Sequence, residues 1–105
     1  MINQSIHCKS KNLIYLIQCH KCDMQYVGST RKCFSERMLL HRSSVRRGDT
    51  PVGYHFSSNG HNSSDMRFYG IEIVTGDVVI LLHREQYWIS KFNTLHDGLN
   101  ENRAI

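Results

Sequence analysis

Four side chains have the residue types and spacing of a zinc site. Cys19 and Cys22 form a C-x-x-C pair, and five residues separate two later histidines, His55 and His61. Two thiolates at this spacing can bind one tetrahedral zinc ion, and the histidine spacing is at the upper end of that in zinc fingers. Because the gap between the two pairs is too long for a simple finger, a folded domain must bring them together. We therefore predict a structural zinc site, with a redox pair or two buried structural cysteines as the alternatives.

A second group combines a guanidinium, an imidazole and two phenols. Arg37 and His41 stand at i and i+4, which places them on one face of a helix. Arginine offers bidentate hydrogen bonds to a phosphate, and histidine can move a proton near neutral pH. Tyr15 and Tyr26 stand on two segments with strand character, and hairpin pairing can bring both phenols to one point. The alternative is an exposed arginine, a half-buried histidine and ordinary strand tyrosines.

A carboxylate close to an apolar helix face is the third feature. Residues 79–92 have helical character, and four of them repeat at a spacing that predicts one shared face. These four are Leu82, Gln86, Ile89 and Phe92. Glu85 directly precedes Gln86 and therefore borders that face. A carboxylate there is unusual unless it is paired or holds a metal, and the alternative is an ordinary surface glutamate.

Positive charge is concentrated in the first half of the chain. Residues 1–50 hold nine Lys and Arg against three Asp and Glu, whereas residues 51–105 hold four against six. A cluster this basic is typical of a surface that binds phosphate, and a solvated helix face is the alternative. The residues predicted to contact DNA are Arg31, Lys32, Arg42, Arg46 and Arg47.

Several classes of protein are excluded by composition. The longest apolar run, residues 78–82, has five residues, far below the roughly 18 that a membrane-spanning helix needs. The first seven residues contain no apolar segment of the kind that a secretory signal has. Four cysteines without such a signal argue against a disulfide framework. We expect an intracellular protein.

The strands that position these side chains are predicted from apolar patterning. Residues 12–19 are apolar on both alternating faces, which predicts a strand covered on both sides. Residues 24–29 predict a second strand, and the hairpin-sized link over 20–23 predicts antiparallel pairing. Residues 66–74 predict a third strand. We expect a single domain over 12–101, preceded by a flexible lead-in over 1–11 and followed by a tail over 102–105.

The helices complete a small α/β (α+β) domain in the order β-β-α-α-β-α. A helical period over residues 32–47 ends at Gly48, where a glycine C-cap is expected. Asp49 or Thr50 can cap a short second helix that begins at Pro51. Three strands alone make a poor core, so the helices must cover the sheet.

Taken together, these residues resemble the GIY-YIG endonuclease family over roughly residues 12–101. Six short segments match in the right order, although leucine stands where the first motif of the family begins with glycine. In chain order these segments are Leu13-Ile14-Tyr15, Tyr26-Val27-Gly28, Gly28-Ser29-Thr30, Arg37 with His41, Arg84-Glu85-x-x-Trp88-Ile89, and Gly98-Leu99-Asn100-Glu101. The sequence is most similar to the endonuclease domain of Penelope-like retroelements. That group has two cysteines between its signature motifs and two later histidines, here Cys19, Cys22, His55 and His61.

The resemblance implies metal-dependent hydrolysis of a DNA phosphodiester. Glu85 would hold a catalytic divalent ion, Mg²⁺ or Mn²⁺, that stabilises the leaving oxygen. Arg37 would hold the scissile phosphate and meet the charge that develops in the transition state. Asn100 would orient Glu85 or a phosphate oxygen. The zinc site is separate and structural, because four protein ligands leave no position for water.

The resemblance also implies a route for the proton of the attacking water. Tyr15 would accept it, with Tyr26 or His41 assisting. Because a free phenol has a pKa of about 10, Tyr15 would need Arg37, the metal or a hydrogen-bonded relay to act as a base.

The resemblance further implies a nuclear location and, in the parent element, an accompanying reverse transcriptase domain. Two alternatives are a zinc-stabilised domain that binds DNA without cutting it and a degenerate copy without activity. A third is an interaction domain with no role on nucleic acid.

Overall fold

A three-stranded antiparallel sheet forms the centre of the fold in the computed structural model, which describes residues 6–58 and 60–100. Its strands are β1 (Leu13–Cys19), β2 (Gln25–Thr30) and β3 (Met66–Ile73), in the order β2-β1-β3. The pairings of β1 with β2 and with β3 are antiparallel. The predicted fold class and the predicted hairpin are therefore confirmed.

The described residues also form two longer helices and two short ones. They are α1 (Phe34–Arg47), α2 (Pro51–His55), α3 (Val78–Phe92) and α4 (Thr94–Asp97), with a 3₁₀ turn at Ser63–Asp65. Gly48 ends α1 with a φ of 64°, in the left-handed conformation that glycine adopts without strain. Thr50 caps α2 by accepting a hydrogen bond from the Gly53 amide. The sequence did not predict α4.

The central strand β1 is covered on both faces, as its apolar pattern predicts. Leu13, Tyr15 and Ile17 point to the face that α1 and α2 cover. Ile14 and Leu16 point to the opposite face and contact the side of α3 that faces the sheet. The alternation of side chains along a strand therefore places Tyr15 under α1.

The buried face of α3 differs in part from the predicted one. The helix buries Leu81 and Glu85, while Leu82 and Gln86 are exposed. Trp88 and Phe92 pack partly against the core beside Leu81. Ile89 and Phe92 of the predicted face do pack partly against the core. The prediction is wrong at Leu82 and Gln86, because the buried stripe runs through Leu81 and the carboxylate Glu85 instead.

The described part of the lead-in is attached to α1. The Ser10 carbonyl accepts from the Phe34 amide, the Cys8 carbonyl accepts from the Ser35 amide, and Ile6 packs against the core. The sequence did not predict these contacts. Residues 1–5, Glu101 and the predicted tail over 102–105 lie outside the described residues. Within the described ranges, no helix has the length and apolar character needed to cross a membrane.

Candidate active site and metal centre

The four predicted zinc ligands lie together at one end of the sheet. Cys19 ends β1, Cys22 lies in the hairpin link, His55 ends α2 and His61 lies in the loop that follows. Their ligand atoms all lie within 4.8 Å of one another, and Cys22 Sγ is 3.4 Å from His55 Nε2. With Zn–S distances of about 2.3 Å and Zn–N distances of about 2.0 Å, the donor atoms of a tetrahedral site are about 3.5 Å apart. A small contraction therefore closes the site around a metal ion.

The hydrogen bonding and burial of the two histidines favour metal binding. His61 Nδ1 lies 2.9 Å from the Ser58 carbonyl, so this nitrogen carries the proton and donates it. His61 Nε2 is buried and has no hydrogen-bond partner among the described residues, which suits a nitrogen whose lone pair binds metal. Burial lowers the pKa of His55, and His61 adds to this effect, so His55 stays in the neutral form that ligates. Two thiols and two such imidazoles are a donor set that fits zinc.

We expect Cys22→Ser to lose the bound metal and to lower the melting temperature by about 10 °C or more, since each lost kcal/mol shifts a domain of this size by about 4–8 °C. Elemental analysis of the purified chain and a thermal melt measure both effects. The matched control is Cys8→Ser, because Cys8 is exposed and outside the cluster. One zinc per chain in Cys22→Ser would contradict the assignment.

Five of the six predicted catalytic residues line one cleft. The cleft has a volume of about 1090 Å³ and lies between α1, α3 and the segment that follows α4. The five residues are Tyr26, Arg37, His41, Glu85 and Asn100. Tyr15 is fully buried and contacts Arg37 and His41. Residues far apart in sequence thus meet at a single site.

Tyr15 is held by two hydrogen bonds. Its hydroxyl oxygen lies 2.6 Å from His41 Nε2 and accepts a hydrogen bond of 3.0 Å from Arg37 Nε. Because Arg37 can only donate, the phenolic proton is available to His41. Gly28 lies opposite Tyr15 in the sheet register, and a Cβ at this glycine would collide with the phenol. A glycine is therefore required here by close approach.

Burial sets the protonation states of this group. Burial, with Tyr26 adding to it, raises the pKa of Tyr15 well above the ordinary value of a phenol, although Arg37 opposes the shift. Burial, together with the charge of Arg37, lowers the pKa of His41 to about 4. Burial also disfavours the charged form of Arg37, but Tyr15, Tyr26 and Glu85 outweigh it and raise the pKa of this guanidinium. At neutral pH the group therefore consists of a neutral phenol, a neutral imidazole and a charged guanidinium.

Glu85 is the only acidic side chain among the described residues that line the cleft. It is buried on α3, and its carboxylate is close enough to influence the pKa values of Tyr15 and Arg37. Mg²⁺ is bound in proteins by one or two carboxylates together with waters and substrate phosphates. Glu85 can hold such an ion with one carboxylate, because the same cleft contains Arg37, a cation that can bind the substrate phosphate.

Asn100 makes contacts other than those predicted. Its Oδ1 accepts a hydrogen bond of 2.9 Å from the Val27 amide, and its Nδ2 donates one of 2.8 Å to the Val27 carbonyl. This amide therefore binds the open edge of β2 as a neighbouring strand would. Asn100 thus holds the backbone of β2 at the residue that follows Tyr26.

The predicted DNA-contacting residues do not form one surface in the cleft. Of the five, only Arg47 lines it, and it also forms an exposed ion pair with Asp49 at 3.1 Å. The Arg42 guanidinium lies over the ring of Phe68, 5.0 Å from its centroid. The others, Arg31, Lys32 and Arg46, are exposed outside the cleft.

Polar residues without a predicted functional role also line the cleft. His83 and Gln86 extend from α3, beside Val79 and Leu82. The four positions form a stripe at helical spacing. Two of the four, Leu82 and Gln86, belong to the face predicted to be buried, whereas Val79 and His83 carried no prediction.

Comparisons with known proteins agree with this fold. The model of the GIY-YIG catalytic domain family matches residues 11–100. The solved catalytic domain of the homing endonuclease I-TevI has a TM-score of 0.75 and 22% identity, over 89% of this chain and 100% of that one. A mutant of the catalytic domain of the intron endonuclease I-TevI has a TM-score of 0.73 and 22% identity, over 88% and 94%. No curated protein matches the chain significantly. At this identity, the two structures show a shared fold.

Proposed function

The chain belongs to the GIY-YIG catalytic domain family and is thus a nuclease-type domain, and from this premise we propose that it hydrolyses DNA phosphodiesters with a divalent metal ion. The observation that carries the proposal is the meeting of Arg37, His41 and Glu85 in one cleft, with Tyr15 hydrogen-bonded beneath them. These groups can hold a phosphate, accept a proton and bind a cation.

Arg37 binds the scissile phosphate in this proposal. Its guanidinium is charged, half-buried and at the cleft surface, where low solvent exposure strengthens its attraction to a phosphate. In the free protein its Nε donates to Tyr15. When Arg37 turns towards a phosphate, this bond is released and the Tyr15 oxygen is uncovered.

Tyr15 and His41 then accept the proton of the attacking water as a pair. The water proton passes to Tyr15 Oη while the phenolic proton passes to His41 Nε2, which leaves a hydroxide to attack phosphorus. The 2.6 Å bond between the two groups supports this relay. The lowered pKa of His41 keeps the imidazole neutral at neutral pH, although it also makes His41 a weak base. In the tautomer with the proton on Nδ1, Nε2 accepts the hydrogen bond from the phenol. Charge brought by the bound phosphate offsets that weakness, because imidazolium is stabilised beside an anion.

Glu85 holds the catalytic ion, which we propose to be Mg²⁺ or Mn²⁺. When bound, the ion neutralises phosphate charge and stabilises the leaving oxygen. The burial of Glu85 fixes the carboxylate rotamer and so the position from which it ligates.

We further propose an origin in a Penelope-like retroelement, with a reverse transcriptase as the partner domain and the nucleus as the location. The Cys–Cys and His–His pairs that meet at the zinc site support this origin. In this proposal the zinc is structural, and it ties the hairpin link to α2 and the loop after it.

A plasmid assay tests the proposed reaction. The purified chain, with its zinc retained, is incubated with supercoiled DNA, with and without added Mg²⁺ or Mn²⁺. EDTA is avoided, because it would remove the structural metal together with the catalytic one. We expect relaxed circles to form before linear DNA, which indicates nicking of single strands. DNA binding without cleavage in either metal would overturn the proposal in favour of a binding module.

The affinity for DNA falls as salt rises, and we expect Arg47→Gln to make this dependence shallower. The steepness of log affinity against log salt should drop by about one, the change expected for one lost phosphate contact. Its ion pair with Asp49 is exposed and worth little, so removing it should not disturb the fold. Arg46→Gln is the matched control, since Arg46 lies next to Arg47 but outside the cleft. Fluorescence anisotropy at several salt concentrations measures the slopes. An equal drop in the salt dependence of both variants would show that the contact surface extends along α1. An unchanged salt dependence in Arg47→Gln would contradict DNA binding in the cleft.

A further inference from the structure

Three large apolar side chains open onto the cleft beside the catalytic residues. Leu40 is 50% exposed, Val79 is 52% exposed and Leu82 is 44% exposed, and all three line the cleft. We call these three residues the apolar wall. Single exposed apolar residues are common on protein surfaces, but a group of them beside a reactive cleft marks a binding surface.

The two helices direct the apolar wall and the catalytic groups to the same place. On α1, Leu40 adjoins His41 and follows Arg37 by three residues, or about one turn. On α3, Leu82 precedes Glu85 by the same spacing, and Val79 lies one turn earlier. A DNA strand whose phosphate reaches Arg37 therefore lies against the apolar wall.

The charge around the apolar wall selects nucleic acid as its occupant. Arg37 and Arg47 line the same cleft, whereas Glu85 is its only acidic group in the described chain. A regular duplex, however, presents phosphates and sugars outwards, and apolar side chains gain little against such a surface. Proteins that press leucine or isoleucine into the minor groove insert these side chains between base steps and partly unstack them.

Resting on the proposed function, we propose that the apolar wall unstacks the base step beside the scissile phosphate. The substrate class that follows is DNA whose stacking is already weakened at that step, by a mismatch, a bubble or a junction with single-stranded DNA. Such bases cost least to unstack. Selectivity then comes from local deformability of the DNA, without hydrogen bonds to particular bases.

Fluorescence of 2-aminopurine tests the unstacking directly. The probe base is placed at successive steps of a duplex, and the protein is added without divalent metal so that no strand is cut. Because 2-aminopurine brightens when it unstacks, we expect a rise at one or two adjacent steps and none further away. Leu40→Ala, Val79→Ala and Leu82→Ala should each reduce the rise.

Two matched controls separate the apolar wall from general surface effects. Leu39 is 64% exposed beside Leu40, and Val78 is 43% exposed beside Val79, but neither lines the cleft. Leu39→Ala and Val78→Ala should leave the fluorescence rise unchanged. Circular dichroism melts of all five variants show whether any loss reflects unfolding.

Cleavage in Mg²⁺ gives a second measurement. We expect a bubble at the cut site to be cleaved about tenfold faster than the matched duplex, because its unstacking cost is already met. Leu82→Ala should slow cleavage of the duplex more than cleavage of the bubble. The ratio of the bubble rate to the duplex rate should therefore rise.

The outcomes distinguish this proposal from the proposed function. Cleavage of duplex and bubble at equal rates, with no fluorescence rise, would overturn the unstacking while leaving the nuclease intact. Failure to bind or cut any DNA would overturn the proposed function itself. A dimer in sedimentation experiments that Leu82→Ala dissociates would show that a second copy of the chain covers the apolar wall, and would also overturn the inference.

Discussion

Glu85→Ala is expected to abolish DNA cleavage, with a loss of at least about a thousandfold in rate. The reason is that the described part of the cleft has no second carboxylate to hold the ion, and a catalytic metal contributes several kcal/mol of transition-state stabilisation, of which every ~1.4 kcal/mol is a factor of ten. Zinc content should not change, because Glu85 is not in the Cys/His cluster. DNA binding should be kept or slightly tightened, since a negative charge near the phosphate is removed. Plasmid nicking, elemental analysis and anisotropy measure the three effects.

Two further variants make the Glu85 result specific. Glu85→Gln keeps the size of a buried side chain, so its loss of cleavage cannot be assigned to a cavity. Glu36→Ala removes an exposed carboxylate in the first turn of α1, outside the cleft, and should cut at the unmodified rate. If Glu85→Ala itself nicked DNA at that rate, the metal assignment would be wrong.

Most of the fold could be predicted because local patterns and tertiary contacts agree. The double-sided apolar pattern of β1 is that of a central strand, and Gly48 and Thr50 mark the ends of helices through backbone geometry that depends on few neighbours. The buried face of α3 was predicted only in part: Ile89 and Phe92 pack against the core, but Leu81 and Glu85 were not expected there. The apolar residues of α3 are distributed around the helix, and Glu85 occupies a buried position at which an apolar side chain is expected. Local rules are expected to fail at functional positions of this kind.

The sequence predicted which residues lie in the candidate site better than it predicted the hydrogen bonds that they make there. The spacing of the cysteines and histidines was sufficient to select four residues that meet as a candidate metal site. It was not sufficient to predict that Ser58 would set the tautomer of His61. Likewise, Asn100 was expected to orient Glu85 or a phosphate oxygen, and the sequence did not predict that its amide would also bind the backbone of Val27. Such contacts depend on which backbone atoms the fold leaves unpaired, and side-chain chemistry alone does not carry this information.

Tyr15→Phe is expected to slow cleavage by at least about a hundredfold, within the 10²–10⁴ range for loss of a proton-transfer group. The ring and its contacts with Phe34 and His41 remain. The hydroxyl does not remain, so Arg37 and His41 lose a partner, and we expect destabilisation by about 1–3 kcal/mol. Rates are therefore compared below the melting temperature of the variant. Tyr69→Phe is the control, because Tyr69 is exposed on β3.

A double-mutant cycle decides whether Tyr15 and His41 act as one relay. His41→Gln retains a polar side chain but removes the basic nitrogen that lies 2.6 Å from the phenol. If the proton passes through both groups, breaking the relay at either point has the same effect, so the double variant should be no slower than the slower single variant. Additive losses would mean that Tyr15 and His41 serve different steps. Cleavage by Tyr15→Phe at the unmodified rate would instead make the phenol a structural support for Arg37, and the base would have to be sought at Tyr26, the phenol that lines the cleft.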